Sequence, residues 1–375
     1  MSRCWAIIAG GGTAGHVVPA IAIGRALVER GHPPETIHFV GSKRGIDGRL
    51  VPAAGFPLTL LPGRGLARKL TLDNLQSLFG FAAGLVLAIV LVLRKRPAVV
   101  VSMGGYAAAP CALAAALFRI PLVLSEQNAV PTATHRLVAR FAAASAVPYE
   151  GTPLPRPVVT GNPVRPEILA VDPSPAGRKA ARRSLGLPDD DDTVVLAAVG
   201  GSLGARTINA AVLDLVGRWD GPPLAVRHAV GERDWAWAQA NTPSPAPGVV
   251  AYQPVPYEDR MAELLAACDI VVARSGGSVA ELAVVGRAGI LVPLPIAPYD
   301  HQAHNAQQLV RAGAAIMLRD PELTGERLDA ELRQLLAGGP SRVRSMGEAA
   351  RAVGRPDAAG AVADVVEAHA RRGSA

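Results

Sequence analysis

Apolar positions in this chain fall in short unbroken runs, each followed by a glycine turn and then by a longer stretch in which apolar residues return every three or four positions. Unbroken runs of four to eight residues are the pattern of strands covered on both faces, and the longer stretches are that of amphipathic helices. Residues 4–9 (CWAIIA) form the first run, GGGTAGH the turn, and residues 17–31 a helix that Gly31 ends. Further strands are predicted over 36–41 (TIHFVG), 98–102 (AVVVS) and 121–128 (PLVLSEQN), with the glycine turn MGGYAAAP and an alanine-rich helix between the last two. The pattern restarts at TVVLAAVG (193–200), followed by the turn GSLGA and a helix over 206–219. It continues through DIVVAR (269–274), the turn SGGS, a helix over 279–285, GILVPLP (289–295) and a closing helix over 357–372. Alternating strands and helices imply an α/β fold with parallel sheets. The segment 164–192, rich in Pro, Arg and Asp, reads as a linker with one short helix and places a domain boundary near residue 165. Two stacked α/β domains, 1–165 and 166–375, are expected, with the last helix able to pack back on the first domain.

One segment departs from this rhythm. Residues 74–93 carry no charge, and Leu78 to Leu93 is a run of 16 aliphatic, Phe and Gly residues. As a helix the run is about 24 Å long, short of the roughly 30 Å hydrocarbon core of a bilayer. Its Phe81, Leu85, Ala88 and Val92 face is as apolar as its Phe79, Val86, Val90 and Leu93 face, so packing on a sheet leaves an oily surface. The flanking Arg64, Arg68 and Lys69 on one side and Arg94, Lys95 and Arg96 on the other favour insertion into one leaflet of an anionic membrane over a helix buried between two layers. Charged substitution at Phe81 or Leu85 is expected to weaken liposome binding.

Composition narrows the classes. Of 375 residues half are hydrophobic, 18% charged and 4% aromatic, which excludes a disordered tail and a base-stacking platform. The net charge of +7 suits an anionic partner such as a phosphate, a nucleic acid or a lipid head group, without choosing among them. Cys4, Cys111 and Cys268 are far apart and odd in number, so neither a disulfide framework nor a zinc site is expected. The opening MSRCWAIIAGGG has too short an apolar stretch for a signal peptide, and the chain is expected inside the cell.

Gly10, Gly12 and Gly15 satisfy G-x-G-x-x-G between a strand and a helix start, where free N–H groups and the helix dipole favour phosphate. The second strand ends Val40, Gly41, Ser42, Lys43, without the acidic residue that holds an NAD ribose; NADP held by Lys43 or Arg44 stays open. His16, in the first helical turn, is positioned to act as a general base, or else merely to cap the helix or bond a phosphate. Gly200, Gly201, Ser202 and Gly204 offer a second anion-binding turn. Asp189 to Asp192 reads as a solvated turn, and no metal is assigned.

In order along the chain, GGGTAGHVVPA, GGYAAAP, SEQN, TGNPVR, GGSLGAR, RSGGSVAE and DHQAHNAQQL resemble the MurG family of glycosyltransferases, and the resemblance spans nearly the whole sequence. It implies the GT-B fold, two Rossmann-like domains facing across a cleft, and transfer of GlcNAc from UDP-GlcNAc to the MurNAc C4 hydroxyl of undecaprenyl-diphosphate-MurNAc-pentapeptide (lipid I), giving lipid II for peptidoglycan. It further implies an N-terminal domain that takes the acceptor at the cytoplasmic face of the cell membrane and a C-terminal domain that takes the donor, with no cofactor and no nucleic acid. By motif position Thr13, Ala14, Gly15, Asn128 and Arg165 line the N-terminal side, with His16 as the candidate base. Ser202 falls near the donor phosphate, Glu281 on the ribose hydroxyls, and Gln302 and Asn305 on the GlcNAc hydroxyls. Read without the resemblance, Glu281 is an ordinary first-turn glutamate and the two amides are solvated loop or helix-start residues. Three departures from the family pattern stand out: Ala14 in place of a glycine, Ser125 in place of the histidine of HEQN, and an RSGGSVAE segment one residue shorter. The alternatives are a GT-B enzyme with another lipid acceptor, a UDP-sugar-binding protein without catalysis, and an NADP oxidoreductase.

Overall fold

A computed structural model describes residues 4–43, 45–62, 72–201 and 204–371, with the side chains of 72–78 left aside. The chain forms two compact units, Met1–Arg165 with Arg355–Ala375, and Pro166–Gly354. In the first unit the elements run β1 (Ala6–Ala9), α1 (Ala14–Glu29), β2 (Ile37–Ser42), α2 (Asp47–Ala53), β3 (Leu58–Leu61), α3 (Leu72–Lys95), β4 (Val99–Ser102), α4 (Ala108–Leu117), β5 (Leu122–Ser125), α5 (Ala133–Val138), β6 (Ala144–Val147) and β7 (Pro157–Val159). The second unit holds α6 (Pro166–Leu169), α7 (Pro175–Leu185), β8 (Val194–Val199), α8 (Arg206–Arg218), β9 (Leu224–Ala229), α9 (Trp235–Asn241), β10 (Val249–Val255), α10 (Met261–Ala267) and β11 (Ile270–Ala273). It continues with α11 (Ser278–Val285), β12 (Ala288–Leu291), α12 (His301–Arg311), β13 (Ala315–Met317), α13 (Gly325–Leu336) and α14 (Ser341–Val353). The closing helix α15 (Ala358–His369) belongs to the first unit.

Both sheets are parallel: β3-β2-β1-β4-β5-β6-β7 in the first unit and β10-β9-β8-β11-β12-β13 in the second. Successive side chains of a strand point to opposite faces. In β1, Ile8 packs with Val17, Ile23 and Leu27 of α1 and with Val362 and Val366 of α15, while Ile7 packs with Ala88 and Val92 of α3 and Ala112 of α4. Helices therefore cover both faces of the first sheet, which is why its central strands are unbroken apolar runs. The second sheet is covered likewise, Val195 and Val271 lying in one core cluster and Leu196 and Val272 in another. Arg30 ties α15 to α1 through Asp364, Glu367 and the Gly360 carbonyl, and His32, stacked on Trp5, adds a second bond to Glu367.

The two apolar faces of α3 part company. Gly84, Ala88 and Val92 are buried and Phe81 meets the Tyr106 ring edge-on at 6.2 Å, whereas Phe79 is 69% and Val86 60% exposed, joined on the outside by Leu87, Val90 and Leu93. Phe81 and Leu85, expected as sites for disrupting membrane binding, are partly buried, and the exposed outer residues show that the helix is not buried on all sides. Arg94 and Arg96 at its end are exposed; Arg64, Arg68 and Lys69 lie outside the described residues. Among the described residues no helix is long and apolar enough to cross a membrane. The acidic run Asp189–Asp192 is a turn whose carboxylates pair with Arg178, Lys179 and Arg183 of α7 and, through Asp190, accept from the Thr193 N–H at 2.7 Å.

Candidate active site

In each sheet the strand order reverses once, between β1 and β4 and between β8 and β11, and the loops leaving the C-terminal ends of these strands are where open α/β sheets bind ligands. In the first unit the loop Gly10–Thr13 leaves β1 there. Thr13 is the N-cap of α1, but its hydroxyl lies 3.2 Å from Nδ1 of His16 and caps no backbone N–H. Thr13, Ala14 and Gly15 are exposed and His16 is half-buried. The β4 loop closes against this turn: at Gly105, with φ of +76°, a side chain would strike the Gly11 carbonyl at 2.9 Å and approach His16 Nδ1 at 3.6 Å. Glycine at 105 is thus what lets the two loops meet.

The glycine turn itself differs from the expectation of free phosphate-binding N–H groups. The Gly10 N–H donates to the Val40 carbonyl at 3.0 Å and the Gly12 N–H to Oδ2 of Asp47 at 2.8 Å. Two of its donors therefore serve the fold. Asp47 is buried, and that burial raises its carboxyl, partly offset by the backbone N–H groups of Gly12, Asp47 and Ser42.

The β5 loop carries Asn128, and its organiser is a residue the sequence reading did not single out. Glu126, 1% exposed, accepts on Oε1 from the N–H of Gln127, the N–H of Asn128 and the Asn128 side-chain amide, each at 3.0 Å. Its Oε2 accepts from the Thr132 N–H at 2.8 Å and meets Nδ1 of His135 at 2.7 Å. The other ring nitrogen of His135 reaches the Ser102 carbonyl and hydroxyl at 3.0 and 3.1 Å, which ties the β5 loop to the end of β4. Burial would raise the Glu126 carboxyl, but His135, Thr132 and Asn128 outweigh it and hold it down to about 2. Ser125, where the family pattern has histidine, has its hydroxyl buried without a partner among the described residues, while the imidazole that meets Glu126 comes from α5. Glu126 was legible inside SEQN; His135, in a different element, carried no signal. Thr13 and His16, after β1, and Asn128, after β5, thus flank the β4 loop, whose Gly105 meets the first turn and whose Gly105 carbonyl accepts from the Thr134 hydroxyl at 2.9 Å. Arg165 follows the edge strand β7 as the last residue before the second unit.

In the second unit Ser202 lies outside the described residues. Glu281 stands in the first turn of α11, half-buried. Gln302 and Asn305 are on α12 one turn apart, and both brace backbone: Oε1 of Gln302 accepts from the Leu294 N–H at 3.0 Å, and the Asn305 amide donates to the Ser275 carbonyl at 3.2 Å. Asn305 is 1% exposed, so it is not the solvated helix-start residue that spacing alone suggests. The loop after β11, which leads into Glu281, is therefore held against the helix that carries the two amides. The entry to α12 is strained, with Tyr299 and Asp300 both at positive φ, 55° and 53°.

Comparison with known proteins identifies this arrangement. Residues 6–147 match the glycosyltransferase family 28 N-terminal domain and residues 195–361 the glycosyltransferase family 28 C-terminal domain. A protein of Desulforudis audaxviator named UDP-N-acetylglucosamine--N-acetylmuramyl-(pentapeptide) pyrophosphoryl-undecaprenol N-acetylglucosamine transferase is 38% identical, over 98% of this chain and 99% of its own. Its namesake from Alkalilimnicola ehrlichii is 40% identical over 97% and 99% of the two chains. The crystal structure of Acinetobacter baumannii MurG superposes with a TM-score of 0.75 at 27% identity, covering 97% of this chain and 99% of that one. Family 28 membership removes the oxidoreductase reading. The fold is GT-B in class, two α/β units with parallel sheets. On identity carried across nearly the full length of both chains, this chain belongs to the MurG family of glycosyltransferases.

Proposed function

We propose that this chain transfers GlcNAc from UDP-GlcNAc to the C4 hydroxyl of MurNAc in undecaprenyl-diphosphate-MurNAc-pentapeptide, forming lipid II. The reading is supported by the activity that names its relatives. The structural observation that carries it is His16 in the first turn of α1 with Nδ1 set against the Thr13 hydroxyl. When Nδ1 donates to Thr13, the lone pair resides on Nε2, the form a general base needs. In one inverting displacement the C4 oxygen bonds to the anomeric carbon as its proton passes to His16, and the bond to the β-phosphate breaks with its electron pair leaving on UDP. Ser202 and helix-start N–H groups receive the charge that develops on the diphosphate, with no metal ion required. The first unit takes the acceptor through Thr13, Ala14, Gly15, Asn128 and Arg165; the second takes the donor, with Glu281 on the ribose and Gln302 on the GlcNAc hydroxyls, while the buried Asn305 braces the loop that leads into Glu281.

The acceptor is a lipid, and the outer face of α3 suits docking on an anionic membrane at the cytoplasmic side of the cell membrane. Phe79, Val86, Leu87, Val90 and Leu93 present the apolar stripe, and Arg94 and Arg96 stand at its end for head groups. The deciding experiment is UDP release from UDP-GlcNAc with and without a lipid I analogue, in EDTA, with mass analysis of the product. Acceptor-dependent release and a gain of one GlcNAc are expected. Donor binding without release would leave a UDP-sugar-binding protein, and release only with another lipid would replace the acceptor.

A further inference from the structure

Glycines crowd around a single carboxylate in the first unit. Asp47 opens α2, is 1% exposed, and takes the Gly12 N–H on Oδ2 at 2.8 Å. A Cβ on Gly11 would fall 1.7 Å from Oδ1, one on Gly41 2.6 Å from the same oxygen, and one on Gly45 2.3 Å from Oδ2. None of these distances is one that real atoms keep. Gly41 is the telling case, because it lies within β2 in a backbone conformation open to any residue, so what demands glycine there is the Asp47 side chain, its Cβ at 2.7 Å as well as its carboxylate. Burying a carboxyl costs desolvation, and an N-terminal aspartate that served α2 alone could do so from the surface at no such cost. The compensation is on the neighbouring loop. Gly12 directly precedes Thr13, whose carbonyl accepts the N–H groups of His16 and Val17, each at 3.1 Å, and whose hydroxyl meets His16 Nδ1. A fixed Gly12 N–H therefore fixes the start of α1 and the direction of the imidazole.

We propose that Asp47 is a positioning residue for the transfer reaction: it holds the turn after β1 through the Gly12 N–H and so sets the place of Thr13 and His16. The inference rests on the reading of His16 as the base. Asp47 touches neither substrate nor reacting atom; it acts through the loop.

Asp47→Asn keeps the volume but sets an amide among Gly11, Gly41 and Gly45. It should lower kcat about tenfold or more, the scale of a small misplacement of a reacting group, while the KM for UDP-GlcNAc stays within about twofold. Combined with His16→Ala it should cost nothing beyond His16→Ala alone. A kcat within about twofold of the parent, or losses that multiply in the double variant, would overturn the proposal. Should His16→Ala alone keep full kcat, the base reading is what fails. Hydrogen exchange of the unsubstituted protein then decides whether Asp47 holds the loop, and it also stands if Asp47→Asn does not fold. The Gly12 amide should exchange roughly 100-fold or more slowly than a free amide, and exchange at the free rate would refute the brace.

Discussion

Glu126 and His135 meet at 2.7 Å with both side chains wholly out of solvent, beneath the loop that carries Asn128. Removing one partner of such a pair strands the other in a medium that cannot solvate it. His135→Ala should therefore lower the unfolding free energy by about 3 to 5 kcal/mol, measured by urea denaturation. A loss below about 1 kcal/mol would mean that the backbone donors satisfy Glu126 unaided. Because the folded carboxyl sits at about 2 against an ordinary 4.5, its contribution is present above pH 4.5 and drains away as pH falls toward 2.

The Thr13–His16 contact separates two kinetic effects. His16→Ala should reduce kcat by about 10²-fold or more and leave UDP binding by calorimetry nearly unchanged, while Thr13→Val, which spares the ring but not its anchor, should cost about tenfold in kcat. An active His16→Ala chain would take the imidazole out of the proton transfer.

Substitutions on α3 should divide by face. Phe79→Glu and Val86→Glu fall on the exposed side and should weaken flotation with anionic liposomes and activity on a long-chain acceptor, sparing a short-chain one, with each apolar side chain contributing about 1.5 to 3 kcal/mol to docking. Leu85→Glu falls on the partly buried side and should instead lower thermal stability and activity on both acceptors alike. Unchanged liposome binding in the first pair would leave the outer face without a membrane role.

His228, buried between Tyr252 and Asn209, is pushed down to about 4 by its burial, from an ordinary 6.5. The unfolded chain then binds the extra proton, so stability falls as pH drops from 6.5 to 4. His228→Gln should flatten that slope by up to one proton, about 1.4 kcal/mol per pH unit, in urea titrations at stepped pH. Parallel slopes in the two chains would show that the ring is not kept neutral by folding.

The legible strands form a pattern of their own. Apolar runs in the sequence mark β1, β2, β4 and β5 in the first sheet and β8, β11 and β12 in the second, the consecutive central strands of each. The outer ones carry no such mark. β3, β7, β10 and β13 are only partly covered, while β6, though buried, is a short run of small residues with Ser145, and β9, though mostly buried, is interrupted by Arg227 and His228. A strand covered on both faces is mostly apolar and admits a polar side chain only where a buried partner awaits it, whereas an edge strand has no such constraint.

Taken alone, the sequence determined what repeats locally or recurs as a motif: two βα series, the turns that carry Thr13 and His16, and the family. Local chain geometry is enough for these, because a glycine turn between a strand and a helix start has few other conformations. Tertiary structure alone decided which face of α3 meets solvent, that α15 joins the first unit, and that Asp47 and His135 stand under the loops after β1 and β5. Each of these depends on residues far apart in the chain finding one buried volume. A carboxylate 35 positions from the amide it holds leaves no periodic trace in the sequence, and only packing brings the two within 2.8 Å.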